Sequence, residues 1–182
     1  SVALLRLLAA WRGRGGPDLA VVTVDHGLRP EAAAEASFVE ALCRDLGVAH
    51  ERLRWSGWDG KGNLSDQARR ARYRLIADWA RGRGLREVAL GHTRDDQAET
   101  VLMRLGRGSG VDGLSGMADR RLVQGILFRR PLLAVGRAEL RAYLTALGQR
   151  WVDDPTNDDP GYGRVAARRA LALLDPLGVT IE

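Results

Sequence analysis

Residues 91–100 read Gly-His-Thr-Arg-Asp-Asp-Gln-Ala-Glu-Thr, a histidine and three carboxylates inside one decapeptide. They follow a short apolar run, Val88-Ala89-Leu90, that reads as the end of a buried strand, and they lead into a helical stretch over 97–105. Polar groups at the carboxyl end of a strand occupy the edge where open α/β sheets receive ligands. Asp95 and Glu99 are four positions apart and Asp96 and Glu99 three, so both pairs share a helix face. Such a set can hold a divalent cation or an ammonium group. One acid would satisfy the helix dipole. Three acids and His92 on one turn repel each other unless a cation joins them.

Four other segments carry chemistry-bearing residues. Val24-Asp25-His26-Gly27-Leu28-Arg29-Pro30 follows the apolar run 19–24; Gly27 permits a tight turn and Arg29 can reach a phosphate, although Pro30 and Glu31 also suit an ordinary helix start. Arg69-Arg70-Ala71-Arg72-Tyr73-Arg74 puts Arg69, Arg72 and Tyr73 on adjoining faces. That suits phosphate contact and base stacking, and equally a solvated helix face. Residues 108–113 match G-x-G-x-x-G, but after a helix rather than a strand, so the dinucleotide context is absent. That segment reads as a loop whose amides and Arg107 can meet a substrate. The last segment, Asp153-Asp154-Pro155-Thr156-Asn157 with Tyr162 and Arg164, has turn and capping chemistry.

These pieces need a scaffold, and the pattern supplies one. Helices are predicted over 2–11, 31–46, 64–79, 97–105, 138–147 and 164–174. Strands are predicted over 19–24, 49–55 and 88–90, with 127–133 extended up to or past Pro131. Alternating strands and helices predict an α/β fold, an open, mainly parallel twisted sheet with helices on both faces. The 182 residues fit one domain over 1–182, with 153–182 a helical tail that packs back or leads toward further domains. The chain begins at Ser1 rather than Met, which puts its natural start upstream.

With 45% hydrophobic and 28% charged residues the chain reads as globular, and no apolar run reaches membrane-spanning length. Cys43 is the only cysteine, which excludes an internal disulfide and any Cys-x-x-Cys site and makes cytoplasmic residence the default. The net charge of +5 is compatible with a polyanionic partner. Nearly every base is arginine, which fits a compositional bias and also phosphate recognition. Nothing in the pattern fixes an oligomeric state, and an oligomer stays open.

Taken in order, these segments resemble the catalytic domain of the tRNA(Ile)-lysidine synthetase family, a branch of the PP-loop (N-type) ATP pyrophosphatases with an adenine nucleotide alpha hydrolase-like fold. The matching pieces are 24–29, 69–73, 91–100, 107–117, Arg130-Pro131-Leu132-Leu133, and 151–157 with Tyr162 and Arg164. Two departures stand out. The family's phosphate loop, Ser-Gly-Gly-x-Asp-Ser, is absent: Ser1 matches its final serine, so the first strand and most of that loop would lie upstream. Without it the chain as written lacks the main cradle for ATP phosphates. Val165 stands where the family usually has asparagine.

The resemblance implies a two-step reaction. ATP adenylates the C2 oxygen of the wobble cytidine in tRNA(Ile) with a CAU anticodon, and the amine of L-lysine then displaces AMP to give lysidine. It implies Asp95, Asp96 and Glu99 as catalytic residues, with Mg2+ on Asp95. Ser1, His26, Arg29, Gly91 and His92 would line ATP. Asp96, Glu99 and Arg164 would hold lysine, and Arg69, Arg72, Tyr73 and Arg107 would meet the tRNA. Two rivals remain: another PP-loop tRNA-modifying enzyme such as a thiolase, disfavoured by the lone Cys43, and a non-catalytic nucleotide- or RNA-binding module.

Overall fold

A computed structural model describes residues 1–27, 32–56, 58, 60–152, 163–178, 180 and 181. The chain divides into two compact units. The first comprises Val2–Val88 with Arg121–Phe128, the second Ser1 with Ala89–Arg120 and Arg129–Glu182.

The first unit opens with α1 (Val2–Arg12), β1 (Ala20–Asp25), α2 (Ala32–Asp45), β2 (Ala49–Arg54) and α3 (Leu64–Gly82). β1 and β2 pair in parallel, with Ala20 opposite Ala49 and Asp25 opposite Arg54. The β-branched Val21, Val22 and Val24 favour the pleated backbone. Val21 packs with Val2 and Val39 around the buried Leu5, Leu42 and Cys43, which fixes α1 and α2 against β1. Arg12 donates from Nη1 to the Gly47 carbonyl (2.9 Å) and from Nη2 to the Leu46 carbonyl (2.7 Å), closing the carbonyl end of α2. On α3, Asn63 caps the first turn by accepting from the Asp66 amide (3.1 Å). Buried Ala68, Ala71, Ala77 and Ala80 let the helix backbone approach its neighbours closely. Tyr73 and Ile76 fill the rest of that face.

A three-stranded sheet, in the order β3–β5–β4, is built from β3 (Glu87–Ala89), β4 (Arg120–Val123) and β5 (Ile126–Arg129). The division between the units falls inside these strands. Leu127 N–H bonds the Arg86 carbonyl and Leu90 N–H the Arg129 carbonyl, so β3 and β5 run parallel. β4 was not expected from the sequence. It joins β5 through Gln124-Gly125, both at positive φ (50° and 82°), the conformation of a two-residue hairpin turn. The extended segment expected over 127–133 is corrected: the strand stops at Arg129. Pro131 has no N–H to continue a ladder, and the chain turns there, with bonds from Leu133 N–H to the Arg130 carbonyl and from Val135 N–H to the Leu132 carbonyl.

The second unit contains α4 (Arg94–Leu105), the short α5 (Val111–Leu114), α6 (Arg137–Ala146), α7 (Gly163–Leu174) and a 3-10 turn (Asp175–Leu177). The glycine-rich segment after α4 is fastened at both ends. Arg104 Nη1 donates to the carbonyls of Gly113 (2.7 Å) and Gly116 (2.8 Å). Gln97 pairs through both side-chain atoms with the Met117 backbone (2.6 and 2.7 Å). Gly116 sits at φ +72°, and a Cβ there would lie 2.8 Å from Gln97 Oε1, so this position requires glycine.

Candidate functional site

α4 begins three residues earlier than predicted, and this sets the geometry of its acids. Thr93 is the N-cap, in extended conformation. Asp96 Oδ2 accepts from the Thr93 amide and from its hydroxyl (2.8 Å each), while the Asp96 amide reaches Thr93 Oγ1 (3.4 Å). The capping box commits one oxygen of Asp96 to the helix end. Its other oxygen lies 3.6 Å from Arg164 Nη1 and 3.7 Å from Arg137 Nη2. Burial alone would raise the Asp96 carboxyl. The two Thr93 bonds and the charges of Arg137 and Arg164 outweigh it and hold the group below its ordinary 3.8.

Glu99, one turn on, is 1% exposed. Its Oε1 accepts from Arg168 Nε (2.6 Å) and Arg137 Nη2 (3.1 Å). Its Oε2 is buried and has no hydrogen-bond partner. Asp95 Oδ2 accepts from the backbone N–H of Arg137 (2.7 Å) and thereby serves the first turn of α6 from outside that helix. Arg94 grips the turn before α6 through the Ala134 carbonyl (2.6 and 3.1 Å). The cation that three crowded acids require is therefore supplied from inside the fold, by Arg137 of α6 and by Arg164 and Arg168 of α7. Asp95, Glu99, Arg137 and Arg168, with Leu171 and Ile181, line a cavity of about 360 Å3.

Arg137 and Arg168 were missed in the sequence. Arg168 carried a signal, since it stands four residues after Arg164 on the same helical face. Arg137 carried none, because its role depends on packing across residues 95–137. Ser1 is exposed. Gly91 and His92 are half-buried in the segment between β3 and α4. Arg107 is exposed between α4 and α5. Among the described residues no group of three His, Cys, Asp or Glu side chains is arranged to hold a metal ion.

The first unit carries the other set, at the end of β1. Asp25 is buried; its Oδ1 accepts from the Gly27 amide (2.8 Å) and its Oδ2 from Arg52 Nη2. The Gly27 bond, then the Arg52 bond, hold its carboxyl below the ordinary 3.8. Gly27 is at φ +64°, the tight turn expected there. His26 Nε2 accepts from Arg72 Nε (3.2 Å) and packs edge-on to Trp55 (centroids 5.6 Å). Burial, then the Arg72 charge, push the imidazole below 6.5, so His26 is neutral at pH 7. Arg72, expected at the RNA, is thus held by His26. Tyr73 is a correction: it is a core residue set edge-on against the fully buried Phe128 (5.0 Å), so its ring is not offered to a base. Arg69 is exposed above it. Arg29, residues 153–157 and Tyr162 lie outside the described residues.

Asp25 and Asp96 have folded pKa values below their unfolded ones. Their stabilisation is complete above about pH 4 and is lost as the pH falls through the folded values. His26, also depressed, makes folding less favourable as the pH drops below about 6.5. Denaturant unfolding from pH 7 to 3 should show a shallow decline below pH 6.5 and a steep one below 4. Asp25→Asn should flatten the steep limb, and an unchanged limb would refute the assignment.

Parallel strands, intervening helices and polar clusters beyond a strand end and at a helix start define an α/β protein of the ligand-binding, open-sheet class. A model described as the PP-loop domain matches residues 1–174, and the chain belongs to that family. It is 55% identical over 182 residues to the tRNA(Ile)-lysidine synthase of Ruegeria pomeroyi, covering 100% of this chain and 43% of the relative. It is 50% identical over 176 residues to that of a Bradyrhizobium species, covering 96% and 49%. The chain thus spans about half the length of the curated relatives it matches. Among solved structures it resembles a U34-tRNA thiolase of Methanococcus maripaludis that carries a 4Fe-4S cluster, with TM-score 0.80, 16% identity, and coverage of 97% of this chain and 62% of that one. That likeness bears on the fold alone.

Proposed function

We propose that the protein joins L-lysine to C2 of the wobble cytidine of tRNA(Ile) with a CAU anticodon, consuming ATP and releasing AMP and pyrophosphate. The observation that carries this reading is the α4 carboxylate group, with its one unpartnered buried oxygen on Glu99, in a chain 55% identical along its whole length to a lysidine synthase. In the first step the C2 oxygen attacks the α-phosphorus of ATP and pyrophosphate leaves. In the second the lysine amine attacks C2, the C2–O bond breaks, and AMP leaves with the oxygen.

The amine must lose a proton before or during attack. Asp96, held below 3.8, is a weak base, and its role is to attract the ammonium. Glu99 Oε2, one turn on and without a hydrogen-bond partner, is the acceptor assigned to that proton. Arg164 is half-exposed and able to fork a lysine carboxylate. Asp95 has one oxygen on the Arg137 amide and one without a partner among the described residues, which fits Mg2+ held by a single carboxylate and completed by phosphate oxygens and water. The ion would offset phosphate charge. In the second unit Ser1, Gly91 and His92 would line the nucleotide and Arg107 would meet the tRNA; in the first unit Arg69 would meet the tRNA. No described helix is long and apolar enough to cross a membrane, and a cytoplasmic reaction is part of the proposal.

A thiolase shares the fold, but the only cysteine here, Cys43, is 1% exposed inside α2, and burial raises its thiol. Incubating the intact protein with CAU-bearing tRNA and ATP, with and without lysine, tests the reading. Lysine-dependent conversion of the cytidine is expected; sulfur incorporation, or RNA binding without AMP release, would replace it with one of the rivals.

A further inference from the structure

Two arginines of the first unit share one aromatic ring. Arg69 of α3 and Arg121 of β4 place their guanidinium carbons 5.5 and 5.6 Å from the centroid of Tyr73. Both side chains are exposed. Neither forms an ion pair among the described residues, whereas nearby Arg70, Arg81, Arg83 and Arg120 are paired with Asp66, Asp78, Glu51 and Asp119. The ring cannot swing, because it is buried and set against Phe128 at 5.0 Å. The hairpin that carries Arg121 is tied back to α3 by Arg81, whose Nη2 donates to the Gln124 carbonyl (2.8 Å). One helical turn beyond Arg69, Arg72 reaches His26 at the end of β1.

Resting on an aromatic ring attracts a guanidinium and restricts its motion without consuming its N–H donors. The forks stay open for phosphate, and less rotamer freedom is lost when one binds. We infer that Arg69 and Arg121, preset by Tyr73, form a clamp for the phosphate backbone of the RNA substrate. This rests on the proposed RNA substrate. It adds β4 and Arg121, which the sequence did not single out, and recasts Tyr73 as the support beneath two cations.

The test is binding of the intact protein to a CAU anticodon stem-loop RNA, by fluorescence anisotropy across a salt series. Combined Arg69→Ala and Arg121→Ala should weaken binding about tenfold and reduce the slope of log K against log salt by about 1.4, two single-strand phosphate contacts. Arg74→Ala, an exposed α3 arginine with no ring beneath it among the described residues, should change affinity less than about twofold. Tyr73→Phe keeps the ring and should bind normally. Tyr73→Leu, if its thermal midpoint shows it folded, should behave like the double variant. An unchanged slope in the double variant, or an equal loss from Arg74→Ala, overturns the clamp. So does a parallel loss of inorganic pyrophosphate binding, which would assign these arginines to the nucleotide. If the wild type binds the stem-loop yet makes no lysidine, the function reading falls and the clamp stands.

Discussion

Glu99→Ala is expected to destabilise the unit built from α4, α6 and α7 by about 3 kcal/mol, the low end for breaking a buried ion pair. Glu99 is 1% exposed and accepts from both Arg168 and Arg137, which are 27% and 31% exposed. Removing the carboxylate takes away the nearer counter-charge of Arg137, which keeps Asp96 at 3.7 Å, and the carboxylate that Arg168 grips at 2.6 Å. Both guanidiniums are exposed enough to recruit water, which is why the low end applies. For a chain of this size the thermal midpoint should fall by roughly 6–12 °C. Adding Arg168→Met should recover part of the loss, because the second substitution removes one of the two cations that faced the carboxylate, and a double-mutant cycle measures that coupling. A midpoint within 2 °C or so of wild type for Glu99→Ala would mean that the carboxylate does not hold α7 to α4.

Asp96→Asn should separate folding from chemistry. Asparagine keeps a side-chain oxygen to accept from the Thr93 amide, so the cap survives and stability should fall by only about 1 kcal/mol. The lost quantity is the charge that Arg137 and Arg164 share at 3.7 and 3.6 Å and that an incoming ammonium would meet. Lysine-dependent turnover should fall by about 100-fold or more, with a raised KM for lysine, while RNA affinity stays unchanged. Near-normal turnover in a folded variant would remove Asp96 from the proposed site.

Much of the fold was legible because local and tertiary demands agree. Val21, Val22 and Val24 are β-branched and lie in a strand packed on an apolar cluster. Ala68, Ala71 and Ile76 recur at helical spacing and face the core. The hairpin was hidden: Arg120, Arg121 and Leu122 are all exposed, so β4 has no alternation to read, and only the backbone of Gln124 and Gly125 betrays the turn. The acids of α4 were legible as a group that needs a cation. Their cations were not, since Arg137 reaches them across a connection that only the folded chain closes. Tyr73 shows the same limit, because helical spacing cannot separate a residue that covers the core from one that is covered.

Lysine chemistry at the α4 carboxylates is the step that the proposed function adds to the PP-loop family. The most direct measurement is transfer of isotopically labelled lysine from solution to the wobble cytidine of CAU-bearing tRNA, with AMP release followed in the same reaction. Label on the RNA is expected in proportion to AMP formed in the intact protein, and almost none with Asp96→Asn. AMP release that does not depend on lysine, or label transfer undiminished by Asp96→Asn, would contradict it.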